Sequence, residues 1–209
     1  MTPSPRDPQA LAERLAAVAA RPTSAAAEHN LAALLGDLGR SADAEAAARR
    51  AFLKGGDAPE TWLVLARALV AQNKHDDADA AFREALRRRP GYIDAVRDLA
   101  QLIWMRTADG EPAMAPVREA LARTPADRAL HLLRATLMEY TGSDARTVWR
   151  TLTEAPGPDH PEVELAAAHA ALSFDPDRAL THALKAVSLA PGDLRAWLRL
   201  TGVRLARRG

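Results

Sequence analysis

The chain of 209 residues contains no cysteine. This absence excludes disulfide bonds, a thiol nucleophile and cysteine-ligated zinc. An excess of charge of one sign is also missing, because 28 basic residues face 27 acidic residues and the net charge is +1. A nearly neutral chain offers no electrostatic attraction for nucleic acid or for an anionic membrane surface, so we predict neither as a partner.

Long apolar segments are missing as well. The sequence has no run of about 18 apolar residues, so it predicts no membrane-spanning helix. The N-terminal stretch 1–21 carries Asp7 and Glu13 and has no continuous apolar segment, which argues against a secretory signal peptide. We therefore expect a cytoplasmic protein.

Catalytic motifs are absent too. The sequence has no glycine-rich phosphate loop, no nucleophile elbow and no His-Glu-x-x-His motif. His75 and Asp77 match part of an iron-binding facial triad, but the spacing of the other histidines supplies no second ligand. We expect His75, Asp76 and Asp77 to form an exposed turn. The sequence predicts no enzyme, no cofactor and no metal.

A regular spacing of small and large apolar residues is present instead, over the 34 residues from Pro59 to Tyr92. A period of this length indicates a helix-turn-helix unit that stacks on similar units. Small residues allow the two helices to approach, large residues fill the space around them, and a proline ends the second helix. The positions that define the unit are Trp62, Leu65, Ala66, Leu69, Ala78, Phe82, Ala85 and Pro90.

This pattern resembles the tetratricopeptide repeat, with Ala66 where the family has glycine and Leu69 where it has tyrosine. The resemblance implies an all-α fold, in which helix pairs stack into a right-handed superhelical solenoid of about twelve helices. It also implies that the first helix of each pair lines a concave surface, where members of the family bind other proteins.

Weaker copies of the unit occupy most of the remaining chain, which we predict to be one repeat array over 9–209. A disordered leader is expected at 1–8 and an N-terminal half repeat at 9–22. The predicted repeats cover 25–58, 59–92, 93–127, 128–159 and 160–193, and a final helix covers 194–209. The third repeat requires one inserted residue near Thr107 to Gly110, and Pro116 predicts a bend in its second helix.

Candidate binding residues follow from the positions that the resemblance assigns to the concave surface. Arginine can hold a carboxylate, an amide can pair with a peptide backbone, and large aromatic side chains anchor interfaces. The predicted peptide-binding residues are Arg67, Arg97, Gln101, Trp104 and Tyr140.

One family ligand is disfavoured. Some relatives hold the acidic C-terminus of heat-shock chaperones with Lys and Asn at defined groove positions. This chain has other residues there: His29, Ala33, Val64, Asp94 and Asp98.

Three functions stay open at this point. The main hypothesis is a non-enzymatic scaffold that binds a peptide or protein segment in its concave groove. The first alternative is the recruiting module of a larger bacterial enzyme, because similar alanine-rich arrays precede oxygenase-like and sulfotransferase-like domains. The second alternative is self-assembly into a homo-oligomer through the final helix, where Trp197, Leu200 and Leu205 are apolar.

Overall fold

The computed structural model describes residues 24–157 and 159–207, and this part of the chain is all α-helical. Twelve helices occur in it, and short turns join them. In chain order they are α1 (Ala25–Asp37), α2 (Ser41–Leu53), α3 (Pro59–Val70), α4 (His75–Arg88), α5 (Ile93–Thr107), α6 (Gly110–Ala113), α7 (Ala115–Arg123), α8 (Arg128–Tyr140), α9 (Ala145–Thr153), α10 (Pro161–Ala171), α11 (Pro176–Leu189) and α12 (Leu194–Ala206).

The chain forms two compact units, Met1–Leu102 and Ile103–Gly209, and the boundary between them falls within α5. The predicted leader at 1–8 and the half repeat at 9–22 lie outside the described residues. In the first unit α1 packs on α2 and α3 packs on α4, while α2 also contacts α3. Helices joined by such short turns pack as antiparallel neighbours.

Buried alanines form the contact between the helices of the first unit. Ala32, Ala44 and Ala48 have no exposed surface in the first pair, and Ala66 and Ala78 have none in the second. A methyl group is the smallest apolar side chain, so it lets the helix backbones approach closely. The burial predicted for the alanines of the second pair is confirmed.

Larger side chains fill the space beside these alanines. Phe82 and Leu69 are each 1% exposed, and Leu65 is 4% exposed. Trp62 is half-buried, and its ring centroid lies 4.3 Å from that of Phe52. Its indole N–H donates to Asp57 at 3.0 Å. Burial of such side chains supplies the main favourable term in folding.

The second unit follows the same packing rule. Ala135, Val148 and Leu152 form one apolar cluster with residues of α10. Ala168, Ala183 and other residues of α10, α11 and α12 form a second cluster. Trp149 packs against both clusters, so it joins the α8–α9 pair to the α10–α11 pair.

A residue with positive φ ends the first helix in four successive pairs. The positions are Gly39 (φ 73°), Asn73 (φ 60°), Ala108 (φ 52°) and Gly142 (φ 81°), at intervals of 34, 35 and 34 residues. Glycine and asparagine tolerate this left-handed conformation, whereas the Cβ of alanine crowds the backbone. Ala108 therefore carries local strain, and it lies at the predicted one-residue insertion.

The second helix of the third pair is interrupted. The sequence predicts one bent helix, but α6 ends at Ala113 and α7 begins at Ala115. Pro116 has no amide hydrogen, so it leaves the carbonyl of Pro112 without its helical donor. The structure therefore has two short helices separated by Met114 in place of the single bent helix predicted.

The strain at Ala108 predicts that Ala108→Gly stabilises the protein. Glycine relieves the left-handed strain but increases the entropy of the unfolded chain, so we expect a net gain of about 0.5–1 kcal/mol. Urea unfolding measures this change. Ala71→Gly is the matched control because Ala71 ends α3 at φ −64°, where glycine brings only the entropic loss. Equal destabilisation by both substitutions would contradict the strain at Ala108.

The lowered pKa of Glu45 predicts that the free energy of unfolding decreases at acid pH. The Lys74 ammonium bonds its carboxylate at 2.7 Å and lowers the Glu45 pKa from 4.5 to about 2; burial opposes this shift, while Arg49 and Gln72 add to it. A lowered pKa means that the carboxylate stabilises the fold above pH 4.5, and that this stabilisation is lost as the pH falls towards 2.

Glu45→Gln should therefore reduce the free energy of unfolding at pH 7 by about 1–2 kcal/mol after solvent screening. It should also flatten the acid dependence between pH 4.5 and 2. Urea unfolding at a series of pH values measures both effects. The control is Glu119→Gln, which changes an exposed carboxylate on α7. An acid dependence in Glu45→Gln as steep as in the wild type would exclude this role.

Candidate functional site

The predicted arginines of the first unit lie on exposed surface and are held in ion pairs. Arg67 on α3 donates from Nε to Asp98 Oδ2 on α5 at 2.6 Å. Arg97 on α5 pairs with Asp94, one turn earlier on the same helix. Gln101 follows on the exposed side of α5. Both guanidinium groups are therefore already neutralised by carboxylates of the same unit.

A small cavity of about 190 Å³ lies beside Arg67. It is formed by α1 and α3, the first helices of two successive pairs, and by the start of α2. Its lining is mostly small side chains: Ala33, Gly36, Asp37, Ser41, Val64, Arg67, Ala68 and Ala71. This cavity has room for one side chain but offers no aromatic anchor.

The two predicted aromatic residues of the second unit have different surroundings. Trp104 on α5 is 39% exposed and lines a cavity of about 570 Å³. Tyr140, at the end of α8, is 79% exposed and is not part of the lining. The cavity is lined by Trp104, Ala108, Asp109, Gly110, Glu111, Met114, Arg118, Arg134, Met138, Thr141 and Ser143.

The indole N–H of Trp104 differs from those of the other tryptophans. The chain has four tryptophans, and all of them lie in its described part. Trp62 donates to Asp57, Trp149 donates to His182 Nε2 at 3.0 Å, and Trp197 donates to the carbonyl of Pro191 at 2.9 Å. Trp104 donates to no described residue. A free donor on a large, partly exposed ring is typical of a binding anchor.

The inserted turn and a close helix contact build this cavity. Gly110 begins α6 directly against the end of α8, where a Cβ on Gly110 would lie 2.4 Å from Thr141 Cγ2. Asp109 caps α6 by accepting from the Glu111 N–H at 2.9 Å. The break after Ala113 then directs Met114 to the cavity. The cavity thus lies where the third pair departs from the regular repeat.

Arg134 is the cavity residue that the sequence analysis missed. It lies on α8, four residues before Met138, and both side chains line the cavity. Arg134 is half-buried, and its guanidinium has no ion pair or hydrogen bond with the residues that the structure describes. The inserted residue near Thr107 was the only feature of the sequence that could have drawn attention to Arg134, because regular repeat positions give no reason to choose it.

A second polar cluster in this unit is satisfied internally. His182 accepts from Trp149, so its Nδ1 carries the proton and donates to Glu164 Oε2 at 2.7 Å. The other oxygen of Glu164 lies 2.8 Å from Lys185 Nζ, which also bonds Asp159 at 2.7 Å. Every member has partners, so this network links α9, α10 and α11 rather than offering a free site.

The described residues contain neither a metal-binding cluster nor a membrane-spanning helix. Across 24–157 and 159–207, no three His, Asp or Glu side chains converge as a metal ion requires. His75, Asp76 and Asp77 form the first turn of α4, where the acidic side chains complement the helix dipole. None of the helices in these ranges is both long enough and apolar enough to cross a membrane.

The comparisons with known proteins agree with the observed fold. Residues 59–102 match the family model described as tetratricopeptide repeat. A thermophilic tetratricopeptide-repeat protein of Thermus thermophilus is 25% identical, with a TM-score of 0.55 over 87% of this chain and 100% of that chain. PilF of Pseudomonas aeruginosa is 19% identical, with a TM-score of 0.54 over 90% of this chain and 86% of that chain.

Yeast Tom70 has a TM-score of 0.69 at 18% identity, over 96% of this chain and 43% of Tom70. No curated protein sequence matches the chain. The predicted all-α fold of stacked helix pairs is confirmed by the helices and by these structures. The family match over 59–102 and the likeness to these structures support a tetratricopeptide-repeat protein.

Proposed function

We propose that this protein is an interaction scaffold that binds a segment of a partner protein at the cavity beside Trp104. The observation that carries this proposal is the free indole N–H of Trp104, at the wall of a 570 Å³ cavity. A cavity of this volume accommodates one or two side chains together with their backbone. Buried tryptophans commonly dominate the energy of protein interfaces.

We expect the predicted residues of the first unit to contribute less binding energy than Trp104. The charges of Arg67 and Arg97 are already balanced by Asp98 and Asp94. A further carboxylate at such an exposed, paired guanidinium yields little net binding energy. We therefore propose that Arg67, Arg97 and Gln101 adjust specificity, while Trp104 supplies most of the affinity. Tyr140 offers a further exposed aromatic surface.

Self-assembly is the second candidate function, and exposed apolar residues on α12 favour it. Leu194 is 69% exposed, Trp197 47%, Leu198 63% and Leu205 63%. Light scattering that shows only monomer at high protein concentration would exclude this candidate. The recruiting module of a larger enzyme stays a prediction, for which an open reading frame continuing past Arg208 is the test.

We predict that Trp104→Ala weakens binding of peptides selected from a random library against the wild-type protein. The loss should be at least about tenfold, because truncation removes both the large ring and the N–H donor. Fluorescence polarisation with the labelled peptides measures this loss.

Trp197→Ala is the matched control, because it removes another partly exposed tryptophan whose N–H already has an acceptor. We expect its affinities to stay within about twofold of the wild type. Equal binding by wild type and Trp104→Ala would show that the selected peptides bind elsewhere, and circular dichroism checks that both variants fold.

A further inference from the structure

We infer that the cavity beside Trp104 recognises a carboxylate flanked by an apolar side chain, with Arg134 as the residue that binds the carboxylate. This inference rests on the proposed function, because it names the chemistry of the segment that binds there. The charges, the hydrogen-bonding capacity and the apolar lining of the cavity each support it.

Arg134 is the charged side chain of the cavity that has no partner among the described residues. Four charged side chains line it, namely Asp109, Glu111, Arg118 and Arg134. Glu111 Oε1 lies 2.8 Å from Arg118 Nη1, which neutralises both groups. Asp109 accepts from the amide N–H of Glu111 and caps the positive end of α6. Of these four side chains, only Arg134 has no ion pair or hydrogen bond with the described residues, so its guanidinium is the group that can bind an anion.

Two donors of the cavity also favour a ligand with an acceptor, while the Ser143 hydroxyl can donate or accept. The Trp104 indole and the Arg134 guanidinium can donate hydrogen bonds but cannot accept them. The Thr141 hydroxyl already donates to the carbonyl of Met138 at 3.1 Å. A carboxylate has two acceptor oxygens and the charge that matches Arg134, and such charge-assisted bonds are stronger than neutral ones.

The remaining lining is apolar. Met114 and Met138 contribute thioether side chains, and Trp104 contributes the faces of its ring. Methionine adapts its shape to neighbouring side chains and packs well against aromatic rings. An apolar residue next to the carboxylate would fill this part of the cavity. The carboxylate can belong to an Asp or Glu side chain or to a chain terminus, because both present the same group.

The test uses labelled heptapeptides with the sequence Gly-Ser-Leu-Glu-Leu-Ser-Gly and with Gln in place of Glu, both amidated at the C-terminus. A third peptide, Gly-Ser-Gly-Ser-Gly-Leu-Leu, is prepared as the free acid and as the amide. Fluorescence polarisation with the full chain gives the affinities. We expect Glu to bind at least about tenfold more tightly than Gln if side-chain carboxylates bind. The free acid should bind more tightly than its amide if a terminal carboxylate binds.

Arg134→Gln should abolish this preference, so that the charged and neutral peptides bind within about twofold of each other. Arg134→Lys should keep part of the preference, because it retains the charge without the planar fork. Arg123→Gln is the control, since Arg123 is an exposed arginine of α7 that does not line the cavity. It should leave the preference unchanged, and added salt should reduce the preference in the wild type.

The results of these binding experiments distinguish a failure of the inference about Arg134 from a failure of the proposed function. Peptides that bind through Trp104 without any preference for the carboxylate would overturn the role of Arg134 but leave the proposed function intact. A carboxylate preference that survives Arg134→Gln would assign it to another residue and also overturn the inference. If neither these peptides nor library peptides bind in a Trp104-dependent way, both the inference and the proposed function are wrong.

Discussion

The close approach of the two helices in each pair is the constraint on which this structure depends. It requires side chains no larger than a methyl group where the helices touch, and Ala66, Ala78, Ala179 and Ala183 fill such positions with at most a trace of exposed surface. Larger residues such as Phe82 pack around these contacts. Because each pair contacts mainly its neighbours, stability is built from local interfaces rather than from one deep core.

This packing rule explains why the cavity beside Trp104 lies at the inserted turn. In the regular helix pairs, the first helix is followed by Gly39, Asn73 or Gly142. Glycine and asparagine tolerate the positive φ that this position requires. The third helix pair has Ala108 at this position and one additional residue in its turn, and its second helix is interrupted at Met114. The cavity lies beside this extra residue and this break, and its lining includes Trp104 of α5 and Arg134 and Met138 of α8. The larger of the two cavities described above thus coincides with a local irregularity of the repeat.

The fold could be predicted from the sequence because small and large apolar residues recur at fixed positions of a long repeat. A period of that length is typical of stacked helix pairs. Ala66, Ala78 and Phe82 were predicted to pack, and all three are buried. The candidate site could be predicted only in part. Trp104 was predicted from its position on the first helix of its pair. The same criterion also predicted Arg67 and Arg97, which pair with nearby aspartates.

Arg134 was missed for a physical reason. Whether Arg134 can bind a ligand depends on whether a neighbouring carboxylate already pairs with it. The contacts of Asp109 and Glu111, which are distant from Arg134 in sequence, determine this. Asp109 and Glu111 are close in sequence to the insertion, yet only the structure shows that a helix end and Arg118 engage them. A spacing rule describes which side of a helix a residue occupies. It does not describe whether the charge of that residue is compensated.

The most direct test of this account is a ¹⁵N–¹H spectrum of the four tryptophan indoles, recorded with and without a peptide selected from the library. Trp→Phe variants assign the signals. Three indoles already donate to protein acceptors, so we expect the Trp104 signal to shift most when peptide binds. A saturated complex in which the Trp104 signal stays in place while another indole signal moves would contradict binding at this cavity.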